Sequence, residues 1–546
     1  MKFNERKVLS PIFTLLIVNL LIKTFTNKTL KSLVFRFFRK IPRLMNEEKS
    51  FPVIIDLFKK HVFPFLVVIS CMIAIVLLYY LLRRINFGRA SIIINSKLIR
   101  KCSLYFFIAM AVLNLSMKVD SRVCSPDGPN VVLIIVDTLR ADHLGCYGYG
   151  SKTTPHIDAL SLDSIVFKNA ICPAPWTSPS VGSIITSQYP TVLGFEDTAI
   201  KFSDKFITLA EIFRDNNYET KGIISHTLIS SALGFDQGFD SYDERNAKGH
   251  DYISSPSVTQ KAISYVREHR DSRFLLFLHY FDPHYNYIQH VRYDYYPGYR
   301  GPLYSDQSIV ELRRIAPTLT SDDIDYLKAL YDSEISFTDE YIGEFIYRLK
   351  ELGLYNNTLI VFTADHGEEF SERGDHWIGH TKTLYQELIH VPLMIKLPDS
   401  SKHEIIDEYV GLIDLMPTIV EYAGLEIPKQ YTYEGEIIDI SNMDESGNRM
   451  IFSETRKRSE LQSVVWRGWK LIYDEQENTS QLFNLQDDSR ELKDVAFEND
   501  AVSEEMKKFL ERWQLSAQSK KSPTKPKQPD FTDEQLEYLR SMGYIQ

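Results

Sequence analysis

Three stretches of the chain carry side chains that could do chemistry together. In VVLIIVDTLRADH, Asp137 follows directly on an apolar run, which places a carboxylate at the carboxyl end of a buried strand, where open α/β sheets bind ligands. An aspartate there can also cap a helix, and the local sequence leaves both roles open. In TLIVFTADHGEEFSERGDHWIGH, Asp365 and His366 again follow an apolar strand. Two strand-end carboxylates and an imidazole suit a divalent ion such as Mg, Mn, Ca or Zn. His376 and His380 lie in the same loop and could join Asp142 around a second ion, the plain alternative being solvated loop histidines. In PAPWTSPSVGSIITSQYP, Thr177 opens a helix-like run. The positive end of the helix dipole and its free N–H groups favour an alkoxide and a bound oxyanion, and metal coordination would lower the hydroxyl pKa further. The alternative is again a helix cap.

Side chains this far apart in sequence meet only if the strands that carry them are neighbours. Apolar runs recur at Arg273–His279, Thr358–Thr363 and Val391–Lys396, and continuous runs of this kind are expected to form buried parallel strands. Between them, Asp332–Leu352 spaces Ile335, Ile342, Phe345 and Leu349 at helical intervals. The alternation predicts an α/β sheet covered by helices. Beyond Leu425 the pieces are shorter, SVVWRGWKLIYD and SQLFNL, as in a small C-terminal subdomain. From Ser516 to Pro529 the Lys, Pro and Ser content is that of a flexible linker, followed by a short helix-like end, DEQLEYLRSMGY. The expected division is a membrane segment at 1–125, a catalytic domain at 128–425, a subdomain at 426–515 and a tail at 516–546. There is no internal repeat.

Val62–Leu82 is an uncharged run of about the ~20 residues that cross a hydrocarbon core as a helix, and Leu9–Ile22 and Ser103–Met117 are shorter candidates, making up to three spans. The basic, aromatic stretch around Lys31–Arg43 suits either a membrane surface or a cytoplasmic loop, and the charges after Leu82 pull toward the opposite topology. No small-residue cleavage site follows the first run, so it is read as retained. A formal net charge of −10 argues against nucleic acid as a partner, and five scattered cysteines build neither a disulfide framework nor a zinc knot.

The landmarks NVVLIIVDTLRADHLGCYGY, TTPHIDAL, PWTSPSVGSIITSQYP, GFDQGFDSYD, FLLFLHYFDPHYNY, LGLYNNTLIVFTADHGEEF, KTLYQELIHVPLMI and LIDLMPTIVEYAG run in order from about Asn130 to Val495. This pattern resembles the sulfatases and their relatives in the alkaline-phosphatase superfamily. The resemblance implies a mixed sheet between helices with a small C-terminal antiparallel sheet. It implies Asp137, Asp365 and His366 as metal ligands, with Thr138 where many sulfatases have a second aspartate. It puts Thr177 at the nucleophile, His284 at the leaving-group histidine, Lys382 at a lysine that binds anionic oxygens, and His226 near a further active-site position.

The sequence departs from the family at its nucleophile motif, C-x-P-x-R or S-x-P-x-R, which reads Thr177-Ser178-Pro179-Ser180-Val181 here. Threonine is a secondary alcohol and cannot become formylglycine, so none is expected, and Val181 lacks the arginine's donors. Threonine nucleophiles are usual among phosphodiesterases and phosphoryl transferases of the superfamily. The expected function is therefore metal-dependent hydrolysis of sulfate or phosphate esters on a glycan or lipid near a membrane. A phosphodiesterase or phospholipid head-group transferase is the alternative, and a binding protein that has lost catalysis is a second one. By analogy with tethered relatives, the catalytic domain is expected outside the cytoplasm.

Overall fold

In the computed structural model, which describes residues 128–546 apart from 196–199, 202, 249–252, 442–447, 522–528, 530, 543, 545 and 546, the apolar runs are strands. The strands are β1 (Asn130–Val136), β2 (Ile165–Ile171), β3 (Glu219–Ile223), β4 (Ser241–Asp243), β5 (Phe274–Tyr280), β6 (Thr358–Ala364), β7 (Glu369–Phe370), β8 (Ile378–Gly379), β9 (His390–Lys396) and β10 (Glu404–Gly411). Eight of them form one sheet in the order β10-β2-β9-β6-β1-β5-β3-β4, while β7 and β8 pair as a separate ribbon. All side chains of β1, β5 and β6 are buried, as strands covered on both faces require. The segments expected at a membrane lie outside the described residues. Among the described residues no helix is long and apolar enough to cross a bilayer.

Within this sheet the expectation for Val391–Lys396 needs correcting. It forms β9, but β9 runs antiparallel to both β6 and β2. Its unbroken apolar character reports burial on two faces rather than strand direction, and periodicity carries no direction.

The helices that matter for the site are α1 (Thr177–Thr186), α2 (Ser255–Glu268) and α3 (Ser321–Glu351). The helix expected from Asp332 begins eleven residues earlier, at Ser321. There Thr320 accepts a bond from the Asp323 N–H, and Asp323 accepts one from the Thr320 N–H at 2.7 Å. That reciprocal cap satisfies donors a helix start otherwise leaves open, and aspartate in place of the commoner Glu or Gln hid it from the sequence reading.

The C-terminal strands β11 (Ile451–Thr455), β12 (Leu461–Trp466), β13 (Trp469–Asp474) and β14 (Thr479–Asn484) make an antiparallel sheet. Arg467 and Gly468 join β12 to β13 with φ of 52° and 77°, the two-residue turn that suits strand twist. Helix α4 (Asp500–Lys520) lies on this sheet through Met506, Leu510 and Trp513. It runs past Ser516 and buries Ala517, so the first five residues of the expected linker are helical. The chain closes in α5 (Asp533–Ser541), whose Leu539, with the following Met542, is buried rather than free in solvent.

Candidate active site

Register builds the centre. Val136 of β1 pairs with Tyr280 of β5 and with Ala364 of β6. The next residues of β1 and β6 are Asp137 and Asp365, so the parallel alignment brings two carboxylates to one sheet edge, and Phe281–His284 leaves β5 beside them. Thr138 then turns the chain sharply, at φ 56°. Its N–H donates to Asp365 Oδ1 (3.3 Å), its carbonyl accepts from the Tyr331 hydroxyl (2.6 Å), and its own buried hydroxyl has no partner among the described residues. A β-branched residue held in the left-handed region by bonds at both ends is backbone strain of the kind found at functional sites.

Asp137 is fully buried, and neither carboxylate oxygen has a hydrogen-bond partner among the described residues. It caps nothing. Asp365 Oδ1 accepts from the His366 N–H (2.9 Å), which leaves Oδ2 without a partner. His366 Nδ1 lies 2.9 Å from the Gly367 carbonyl and so carries its proton there. Its Nε2 lone pair faces Asp137 Oδ1 at 3.6 Å, Asp365 Oδ2 at 3.5 Å and Thr177 Oγ1 at 3.5 Å. Burial, reinforced by Asp365 and Glu368, pushes the Asp137 carboxyl well above the usual range, and burial raises Asp365 as well. Buried carboxylate oxygens facing only one another and lone pairs are costly unless a cation joins them.

The donor set fits such a cation. Asp137, Asp365 and His279 each offer a ligand atom within 4.8 Å of the others, as do Asp137, His226 and His284. His279 was not singled out from the sequence. Its Nε2 is 3.7 Å from Asp137 Oδ2, neither ring nitrogen has a partner among the described residues, and burial pushes its pKa down to about 3, helped by His366. Neutral imidazole is the form that ligates metals.

Thr177 is the first residue of α1 and fully buried. The helix caps on Trp176 without a side-chain bond, so capping is not what the Thr177 hydroxyl does. The serines that follow anchor the turn: Ser178 donates to the Leu228 carbonyl and Ser180 to the Asp365 carbonyl, each at 2.6 Å. His226 accepts from the Leu228 N–H at Nδ1 (3.0 Å), which turns Nε2 toward Asp137 Oδ2, 3.8 Å away. The loop carrying His284 is tied to α2 by Asp282, which accepts from the N–H (2.9 Å) and hydroxyl (2.6 Å) of Ser255.

His380 is buried in the same centre, 4.5 Å from His366 between ring centroids, with Nδ1 3.0 Å from Glu368 Oε1. Glu368, pushed up to about 8 by burial, also accepts from the Tyr287 hydroxyl. The expected pairing of His380 with His376 and Asp142 is not formed. His376 is exposed, and Asp142 is bound by two bonds from Arg140, because both sit on solvent-facing turns beyond the strand ends. Lys382 lies at the rim, paired with Asp375 at 2.6 Å and 5.3 Å from the Trp377 ring. Gly367 is required by proximity, since a Cβ there would lie 2.0 Å from the Glu387 carbonyl oxygen.

The chain is similar to known hydrolases in sequence and in fold. The model of the family described as Sulfatase matches residues 129–425, and that of the N-sulphoglucosamine sulphohydrolase C-terminal region matches residues 374–518. An ulvan-active sulfatase of Formosa agariphila is 25% identical over 397 residues, covering 67% of this chain and 76% of its own. An N-acetylglucosamine-6-O-sulfatase of Bacteroides thetaiotaomicron is 24% identical, covering 59% and 72%. Among solved structures, a phosphonate monoester hydrolase of Agrobacterium radiobacter superimposes with a TM-score of 0.59 at 18% identity, covering 71% of this chain and 96% of its own.

Proposed function

The chain belongs to the sulfatase family, and from that premise we propose that it cleaves a sulfate or phosphate ester of an anionic glycan or lipid with Thr177 as nucleophile. The observation that carries this reading is the Thr177 hydroxyl itself, buried at a helix N-terminus, making no cap, and held 3.5 Å from the nitrogen that faces both strand-end carboxylates. A divalent ion held by Asp137, Asp365, His366 and His279 would supply the charge that favours an alkoxide on Thr177 and a trigonal, electron-rich transition state. Thr177 then forms the new bond to sulfur or phosphorus as the ester oxygen leaves. Thr177 loses its proton to solvent as the alkoxide forms, and His284, protonated from solvent, passes one proton to the oxygen of the leaving alcohol. Water, or an acceptor alcohol, breaks the threonyl ester and restores Thr177. Lys382, once released from Asp375, and the positive N-terminal end of the α1 dipole would offset charge on the transferred group.

Val181 in place of the family arginine, with threonine as nucleophile, favours phosphate over sulfate within this reading. The substrates named for the relatives, ulvan and glucosamine sulfates, support an anionic glycan, whereas the apolar runs before residue 125 support a lipid-proximal one. We place the catalytic unit outside the cytoplasm, anchored by those runs.

The test is turnover of matched aryl sulfate, phosphate monoester and phosphate diester substrates by the full chain in detergent, with Mn, Mg, Ca or Zn supplied in turn. Preference for the diester, abolished by Thr177→Ala, supports the phosphodiesterase or transferase form. Sulfate turnover lost in the same variant supports a formylglycine-independent sulfatase. Full activity in Thr177→Ala sinks the nucleophile assignment, and silence on every ester returns the binding-protein alternative.

A further inference from the structure

Tyr544, the last of the described residues, reaches into the centre. Tyr544, three residues beyond α5, places its hydroxyl 2.6 Å from His380 Nε2 and 3.2 Å from His284 Nε2. Its ring lies 5.9 Å from His226 and 6.1 Å from His380, between centroids. Lys457 is clasped between this ring, at 5.3 Å, and Trp176, at 4.6 Å, the residue that precedes Thr177. The segment is seated as well as inserted. Thr532 and Gln535 form a reciprocal cap that starts α5, Leu539 and Met542 are buried, and the Tyr285 hydroxyl donates to the Met542 carbonyl at 3.3 Å.

The bonds at the far side of each imidazole set what the phenol meets. His380 Nδ1 faces a carboxylate and His284 Nδ1 faces the Tyr285 carbonyl at 2.8 Å, so in the neutral rings both Nε2 atoms are acceptors. One phenol proton can serve His380. The same oxygen lies 3.2 Å from His284 Nε2, the nitrogen that would face the oxygen of a departing alcohol.

We infer that Tyr544 occupies the leaving-group oxygen position and acts as a built-in competitor for this site, because a substrate gains the two histidines only by displacing the phenol. The inference rests on the proposed role of His284. Apparent affinity for every ester is then reduced according to the fraction of chains in which Tyr544 is seated.

Two measurements on the full chain in detergent test it. With an aryl ester, Tyr544→Phe and deletion from Phe531 onward should each lower KM by about three- to tenfold, the scale of one or two hydrogen bonds, and leave kcat unchanged. A fall in kcat at constant KM, or no change in either variant, overturns the inference. The second measurement needs no turnover, so it stands even if the hydrolase reading fails. Amide exchange across residues 532–542 should be about three- to tenfold faster in Tyr544→Phe than in the parent chain. Equal exchange in the two chains means that the phenol does not hold the segment, and overturns the inference independently of catalysis.

Discussion

A fully buried histidine with neither ring nitrogen partnered among the described residues, as His279 is, is more than a core side chain filling space. If it ligates an ion together with Asp137 and Asp365, His279→Phe should weaken binding of Mn or Ca by about tenfold or more, measured calorimetrically, while the unfolding temperature without metal rises or holds because an unsatisfied imidazole has been removed. Unchanged ion affinity would remove His279 from the set. The neighbouring residues differ in how much the sequence disclosed. Asp137, Asp365, His366 and Thr177 each stand at the end of a strand or the start of a helix, so local pattern and family likeness both point to them. His279 is the last residue of its apolar run, where a strand reading accounts for it completely, and only the registers Ile135–His279 and Ile135–Thr363 show which edge it shares. Tyr544 is 260 residues from His284, and no local pattern carries a contact of that span.

At the scale of elements, the apolar runs declared the strands but not their direction, and Lys396 shows why the reversed one is well placed. It ends β9, yet its ammonium is buried and donates to the carbonyls of Tyr355 (2.7 Å), Asn356 (2.9 Å) and Thr358 (3.3 Å), the turn that feeds β6. An antiparallel neighbour brings the end of one strand to the start of the other, so a single lysine can gather a turn that hydrogen bonds within the sheet leave unsatisfied. Lys396→Met should cost about 2–3 kcal/mol of stability, read as a lowered urea midpoint, by leaving buried carbonyls without that donor. A midpoint within error of the parent would show that water takes over the role.

At the scale of the molecule, the small sheet is part of the site's support. The β11 residues Ser453 and Glu454 bond to the carbonyls of Cys172 and Pro173, on the approach to Thr177, and Thr455 donates to the Thr381 carbonyl, between His380 and Lys382. Helix α4 holds that sheet through Trp513, which stacks on Phe452 at 4.9 Å and meets Tyr189 edge-on at 5.1 Å. Trp513→Ala should lose about 3–5 kcal/mol, and heat should melt parent and variant alike in one calorimetric transition, shifted down in the variant. A separate early transition in either protein would mean that the small sheet stands alone. The sequence signalled a change of pattern near Leu425 but not this dependence, since bonds that join two sheets leave no periodic trace.

Because β9 returns antiparallel beside β6, residues 365–389 leave the large sheet and rejoin it at the same edge. That stretch carries Asp365, His366, Glu368, His380 and Lys382, with β7 and β8 pinching its exposed tip at Gly374–His376. It is thus a closed cassette on an unchanged scaffold, and exchanging its tip for that of a relative is the shortest engineering route to a new substrate preference.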